Sequence, residues 1–190
     1  IYFRDREVLL NPNDQIQTNR FSNLISELSA QITDDLMFYA GMQWNPDKND
    51  IDRGNIAFRY RNKLNHIVNL GYRYRLDDQT RDTIINQSDI SFLLPLYNNW
   101  NIIGRWQYSI LHNLTVDSFI GLEKESCCWR FRILGRRFVN NVDTLNVTQE
   151  EGQAENAFFV QLELKGMTSI GSNVEKFLER NMYGYRISQP

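Results

Sequence analysis

The sequence predicts an all-β fold: an antiparallel transmembrane β-barrel segment of about ten strands with a short C-terminal tail. Three observations predict it. Apolar and polar side chains alternate with period two along most of the chain. Many candidate strands are about ten residues long, as a tilted strand needs to cross a bilayer, whereas soluble strands average about five or six. Aromatic residues make up 13% of the chain, with 9 Tyr, 11 Phe and 4 Trp.

The alternation is clearest from Trp100 to Ile110. Trp100, Ile102, Trp106, Tyr108 and Ile110 share one face, and Asn101, Arg105, Gln107 and Ser109 share the other, with Ile103 the one mismatch. Successive strand side chains point to opposite faces, so this is a two-faced strand. The segment from His66 to Leu76 divides the same way. Val68, Leu70, Tyr72, Tyr74 and Leu76 lie on one side, and Asn69, Arg73 and Arg75 on the other. Reading onward in this manner places strands at 1–9, 22–33, 36–45, 54–62, 66–76, 86–94, 100–110, 114–125, 128–139 and 157–165. Trp44, Tyr60, Trp100 and Tyr108 sit near strand ends, where aromatic girdles meet lipid headgroups.

The connections alternate in length. Asp34-Asp35, Asn62 to Asn65, Pro95 to Asn99 and the Cys127-Cys128 turn are short. The Asn45–Asp50 region, Asp77 to Ile85 and residues 140 to 156 are longer, and the short His112-Asn113 connection breaks the pattern. Outer-membrane barrels have short periplasmic turns and long outer loops, so the short set is expected on the periplasmic side. After the barrel strands of 1–166, residues 167–190 read as a periplasmic tail with a short helix. Val174, Phe177 and Leu178 there have helical spacing.

No run of apolar residues is long enough for a transmembrane helix, and the mean hydropathy is −0.50. That value does not argue against a barrel, whose strands show lipid only one face. The opening Ile1-Tyr2-Phe3-Arg4-Asp5 resembles a strand entered partway rather than a signal peptide, so the chain is expected to be a fragment or a processed product. A net charge of −2 gives no support to a nucleic-acid partner.

The polar faces carry Arg59, Arg61, Arg73, Arg75, Arg105, Arg130, Arg132 and Arg136, with Glu27, Glu123 and Glu163 facing the same way. These are expected to line the lumen. They could form a hydrated wall of cross-strand ion pairs, or a surface that accepts phosphorylated cargo, because guanidinium pairs well with phosphate. Cys127 and Cys128 are the only 2 cysteines and are adjacent in a turn. Buried thiols, a vicinal disulfide and two separate bridges to cysteines outside this chain all remain open, with the last fitting an oxidising compartment best. A zinc site is disfavoured, because only the distant His66 and His112 could add ligands. No cofactor is indicated. Catalysis is not supported either: there is no phosphate-binding glycine loop, and turn chemistry accounts for Asp34-Asp35 and Asp77-Asp78.

The run Gly121-Leu122-Glu123-Lys124-Glu125-Ser126-Cys127-Cys128-Trp129-Arg130 resembles the signature of the LptD family, the organic solvent tolerance proteins. Ala157-Phe158-Phe159-Val160-Gln161-Leu162-Glu163-Leu164-Lys165 is similar to that family's last strand, and Asn181-Met182-Tyr183-Gly184-Tyr185-Arg186 to its C-terminal pattern. The likeness is close over 121–186 and looser elsewhere. It implies a barrel of about 26 strands, of which this chain supplies about the last ten. It implies that Cys127 and Cys128 each bridge to a cysteine of an N-terminal periplasmic region. It further implies a lipoprotein plug, LptE, in the lumen and lipopolysaccharide (LPS) as cargo, delivered over a periplasmic LptA-type bridge through an N-terminal domain. The barrel-assembly machinery would insert the protein into outer-membrane lipid. Residues 157–165 would form one lip of a lateral gate. By this reading the chain is no enzyme, and alone it is too few strands to enclose the lumen. The alternative is a self-contained ten-stranded porin or enzyme barrel, in which residues 1–9 pair with 157–165. A soluble β-sandwich is a third possibility, opposed by the strand lengths.

Overall fold

The computed structural model describes residues 22–62, 66–77, 80–139, 154–164 and 172–185. Nine strands form one antiparallel sheet in which each strand pairs with its neighbours in sequence. They are β1 (Leu24–Thr33), β2 (Leu36–Asn45), β3 (Asp50–Arg61), β4 (Ile67–Leu76), β5 (Thr83–Pro95), β6 (Trp100–Ser109), β7 (Leu114–Glu125), β8 (Trp129–Val139) and β9 (Ala154–Leu164). One helix follows, α1 (Ser172–Asn181). The tenth expected strand, 1–9, lies outside the described residues, as does Lys165. Among the described residues the sheet is open, with β1 and β9 as its edges.

Three strands begin earlier than the alternation indicates. β3 starts at Asp50 rather than 54, β5 at Thr83 rather than 86, and β9 at Ala154 rather than 157. The added residues are polar or lack alternation, but they continue the ladder, as in Trp44↔Ile51 and Leu76↔Thr83. Arg81 reaches across to both Asp50 and Asp52 and ties the two hairpins together. Those hydrogen bonds raise the Arg81 pKa, with the Asp52 bond contributing most. The connections shrink accordingly to residues 46–49 and 77–82, so the contrast between short and long loops is weaker than the sequence implies. The tight turns use left-handed asparagines, at Asn49, Asn98, Asn99 and Asn113. A short polar side chain tolerates that conformation best after glycine.

The outer face is apolar and exposed: Leu70, Trp106, Ile120, Ile133, Phe158 and Val160 all project from it. Leu76, expected on this face, is instead buried beside the register shift opposite Thr83. The inner face carries the arginines but is not uniformly polar. The cross-strand partners Ile67↔Leu93, Leu93↔Ile103, Ile103↔Gly121, Gly121↔Leu134 and Leu134↔Phe159 make one continuous row across six strands. Ile103, which broke the alternation, is 0% exposed in this row.

The row is covered by α1. Val174, Leu178, Met182 and Tyr185 complete one buried cluster with Ile67, Leu93, Ile103, Phe119 and Leu134. The short helix expected in the tail forms, and its apolar residues pack on the inner face of the strands. Its apolar stripe has an inner-face seat, and burying that stripe outweighs leaving it in water. Gly184, at φ 82°, turns the chain after the helix so that Tyr185 returns to the cluster.

Gly121 lies in the row where nothing larger fits. A Cβ there would stand 2.7 Å from the Ile133 carbonyl oxygen and 2.9 Å from Leu134 Cγ, whereas one at Gly71 would approach Asp89 only to 3.8 Å. Gly121→Ala should lower stability by roughly 1–3 kcal/mol, the usual range for overpacking. Gly71→Ala should stay within about 0.5 kcal/mol of the parent. Heat-dependent gel mobility of the two variants in detergent compares them directly, and equal shifts would contradict the packing described.

Candidate functional site

The inner face holds two kinds of arginine. Those on β6 and β8 are matched to acids. Arg105 donates to Asp89 at 2.7 Å and to Asn181 Oδ1 on the helix at 2.6 Å. Arg136 makes a forked pair with Asp117 at 2.9 and 3.0 Å, and its guanidinium sits 4.9 Å from the Phe177 ring centroid. Arg130 pairs with Glu125 at 2.9 Å and approaches Glu163 at 3.6 Å and Glu175 at 3.8 Å. A charge taken out of water needs such partners.

Arg132 is the most deeply placed, at 1% exposure. It donates to Glu123 at 2.6 Å, Gln161 at 3.0 Å and the Tyr185 hydroxyl at 2.8 Å. Tyr185 in turn donates to Glu123 at 3.4 Å. One guanidinium thus links β7, β9 and the segment after α1. Burial, and then the Glu123 carboxylate, push the Tyr185 hydroxyl pKa well above the ordinary phenol range. The phenol therefore stays protonated and can both accept from Arg132 and donate to Glu123.

The arginines of β3 and β4 are placed differently. Arg59 stacks 3.7 Å from the Tyr183 ring centroid, a cation–π contact, and Arg73 donates to Gln87 at 3.3 Å. Arg61 is exposed, and its backbone N–H donates to the Asp35 carbonyl at 2.8 Å. Arg75 has a buried Nε without a hydrogen-bond partner. Nearby, Asn69 donates to the Tyr183 carbonyl at 3.0 Å and to Ser91 at 3.1 Å, anchoring the chain beyond the helix to β4 and β5.

Cys127 and Cys128 are exposed in the turn between β7 and β8, with their Sγ atoms 2.7 Å apart. Among the described residues no group of His, Cys, Asp and Glu has the arrangement of a metal site. β9 pairs with β8 from Trp129↔Leu164 to Val139↔Ala154, and its outer edge is unpaired among the described residues. Phe159 on its inner face stacks with Phe177 at 6.0 Å, and Phe177 meets Phe119 at 5.1 Å.

The family model described as LPS transport system D, LptD, matches residues 1–100 of the chain. The chain belongs to the LptD family. It is 38% identical over 179 residues to the LPS-assembly protein LptD of Methylococcus capsulatus, which covers 88% of this chain and 17% of that protein. The corresponding protein of Nitrosococcus oceani is 33% identical over 184 residues, and that of Pseudomonas aeruginosa 32% over 213 residues. Each of these alignments covers 97% of this chain, and so includes the Cys turn, and 23% of the relative. The chain thus spans between 17% and 23% of the length of these relatives. Membership in the LptD family and the single antiparallel sheet together make this part of an outer-membrane β-barrel.

Sequence reasoning about this LptD segment missed the seat of α1 and the role of Tyr185. The signal was present as apolar residues at inner-face positions: Ile67, Leu93, Ile103, Phe119 and Leu134. Each reads alone as an exception, and only the register joins them.

Two outcomes follow for the docked helix. Leu178 is 0% exposed, and Leu178→Ala should cost about 2–5 kcal/mol of packing. Hydrogen exchange over residues 174–182 should speed up while exchange in β2 and β3 stays unchanged. Burial holds the Glu175 carboxyl above its ordinary range, and the opposing pull of Arg132 and Arg130 does not cancel this. The docked helix then keeps a proton that the undocked one has lost, so docking is strongest below the ordinary Glu pKa of about 4.3. It weakens as the pH rises from there through the raised value. Glu175→Gln should flatten that dependence, which the same exchange measurement across pH reads out.

Proposed function

We propose that this segment forms the closing wall of an outer-membrane translocon that inserts LPS into the outer leaflet, with β9 as one lip of a lateral exit. The observation that carries the reading is an LptD-family sheet in which β9 is an edge strand among the described residues. Phe158, Val160 and Leu162 of that strand present exposed apolar side chains outward, while Gln161 and Glu163 face the arginines inward. A strand edge with lipid on one side and a polar lumen on the other suits an amphiphile whose two halves need opposite surroundings. The work is transport, with no bond made or broken by this chain.

The finer parts of the reading concern orientation and partners. The rim bearing Asp34-Asp35, Asn98-Asn99 and Cys127-Cys128 faces the periplasm in this proposal. There each of the two exposed thiols would form a disulfide with a cysteine of an N-terminal periplasmic region, both thiols of each bridge losing a proton and an electron to the oxidising machinery of that compartment. An LptE-type lipoprotein would plug the lumen and share the inner face with α1. An LptA-type bridge would deliver the cargo, and the barrel-assembly machinery would insert the protein. The support is the exposure of both thiols and the family relationship.

Changing Cys127 and Cys128 together to Ser in a whole LptD protein tests the bridges. Mobility without reductant should change, assembly should fall, and cells should become more sensitive to detergent. Unaltered mobility and sensitivity would sink the disulfide assignment.

A further inference from the structure

The inner arginines are unevenly compensated. On β6 and β8, Arg105, Arg130, Arg132 and Arg136 each have a carboxylate within 4.0 Å. On β3 and β4, none of Arg53, Arg59, Arg73 and Arg75 has one at that distance among the described residues. Arg53 and Arg75 are direct cross-strand partners. Like charges directly opposed in an antiparallel pair are destabilising, so this arrangement costs stability unless an anion lies between them. The buried, unpartnered Nε of Arg75 is a donor still to be satisfied.

Beside this pair the inner face is hollow. A cavity of about 340 Å³ lies between the end of α1 and strands β3 to β6. Arg59, Arg73, Arg105 and Arg180 line it, against the carboxylates of Asp89 and Glu179. Four cations against two anions leave an excess of positive charge, and Asp89 is already engaged by Arg105. Asn55 and Gln87, also in the lining, add neutral amide donors. A planar guanidinium fork and amide donors around one hollow suit a tetrahedral oxyanion better than a carboxylate-bearing surface of fixed shape.

We propose that this cavity, with Arg53 and Arg75 at its edge, is a binding site for the phosphate groups of a phosphorylated glycolipid headgroup passing through the lumen. It rests on the transport reading above and adds to it a place where the cargo's charge is held. Arg73 is the centre of the site: it is exposed, it donates to the neutral Gln87, and it lines the cavity two positions from the Arg53–Arg75 pair. The matched arginines near the Cys turn are engaged in holding the helix and are not part of it.

The test uses a whole LptD protein with its plug lipoprotein in the outer membrane. A photo-crosslinking residue replaces Gly71, an inner-face position lining the cavity where an added Cβ meets Asp89 only at ordinary contact distance, and a second probe replaces Gln107 on β6. LPS capture is compared between Arg53→Gln/Arg73→Gln/Arg75→Gln, the matching Lys triple and the parent. Mobility without reductant reports assembly. At position 71 the Gln triple should lower capture at least tenfold, the Lys triple should recover most of it, and LPS lacking its phosphates should be captured no better than by the Gln triple. Capture at 71 that ignores both the arginines and the phosphates would overturn the site while leaving transport intact. Capture of the plug protein at 71 in place of LPS would assign the patch to a protein and also overturn it. No LPS at either probe in an assembled protein would overturn the transport reading as well. If the triple variant fails to assemble, Arg73→Gln alone gives the same comparison, because an exposed arginine with one neutral hydrogen bond is dispensable for folding.

Discussion

The guanidinium of Arg132 is where the architecture of this segment converges. It is almost inaccessible to solvent, and it donates to Glu123 on β7, to Gln161 on β9 and to the hydroxyl of Tyr185 beyond the helix. Removing any one of those acceptors would leave a buried charge short of a partner, which is far more costly than losing an exposed pair. The position of the last strand, the return of the chain after Gly184 and the closure of the apolar cluster are therefore coupled through one side chain. Glu175 and Glu163 complete the surroundings at 3.9 and 3.5 Å.

This coupling explains why an inner face can hold both charge and a hydrophobic core. The apolar row from Ile67 to Phe159 runs across the strands, and the ionic residues lie in the rows on either side of it. Helix α1 covers the row while its own polar residues reach the flanking arginines: Glu175 on one side, Asn181 on the other. The helix is thus held by apolar burial along its length and by polar contacts with arginines toward its ends. Farther along the sheet, Arg53, Arg59, Arg73 and Arg75 have no carboxylate within 4.0 Å among the described residues, and the surface changes from structural to open.

Much of the sheet was legible in the sequence. The expected strands 100–110 and 114–125 lie within a residue of their observed limits. The early starts of β3 and β5 were not legible, because Asp50 to Arg53 and Thr83 to Ile85 carry no two-faced pattern and are held by pairing and by Arg81. The helix was legible from Val174, Phe177 and Leu178, but its seat was not. A seat spread over six strands has no local signature, and Ile103 in isolation is one wrong residue in an otherwise regular strand. The arginines were legible as a face. Which of them are neutralised depends on cross-strand register and on Glu175 and Asn181, which are distant in sequence.

The inner row has a consequence for the order in which this part of the molecule is made. Its residues come one each from β4, β5, β6, β7, β8 and β9, and slipping β8 by two positions, for example, would replace Leu134 with Arg132 or Arg136. The seat exists only when all six strands are in register. Docking of the C-terminal helix is then the last event of building this wall, and it discriminates a finished sheet from an unfinished one.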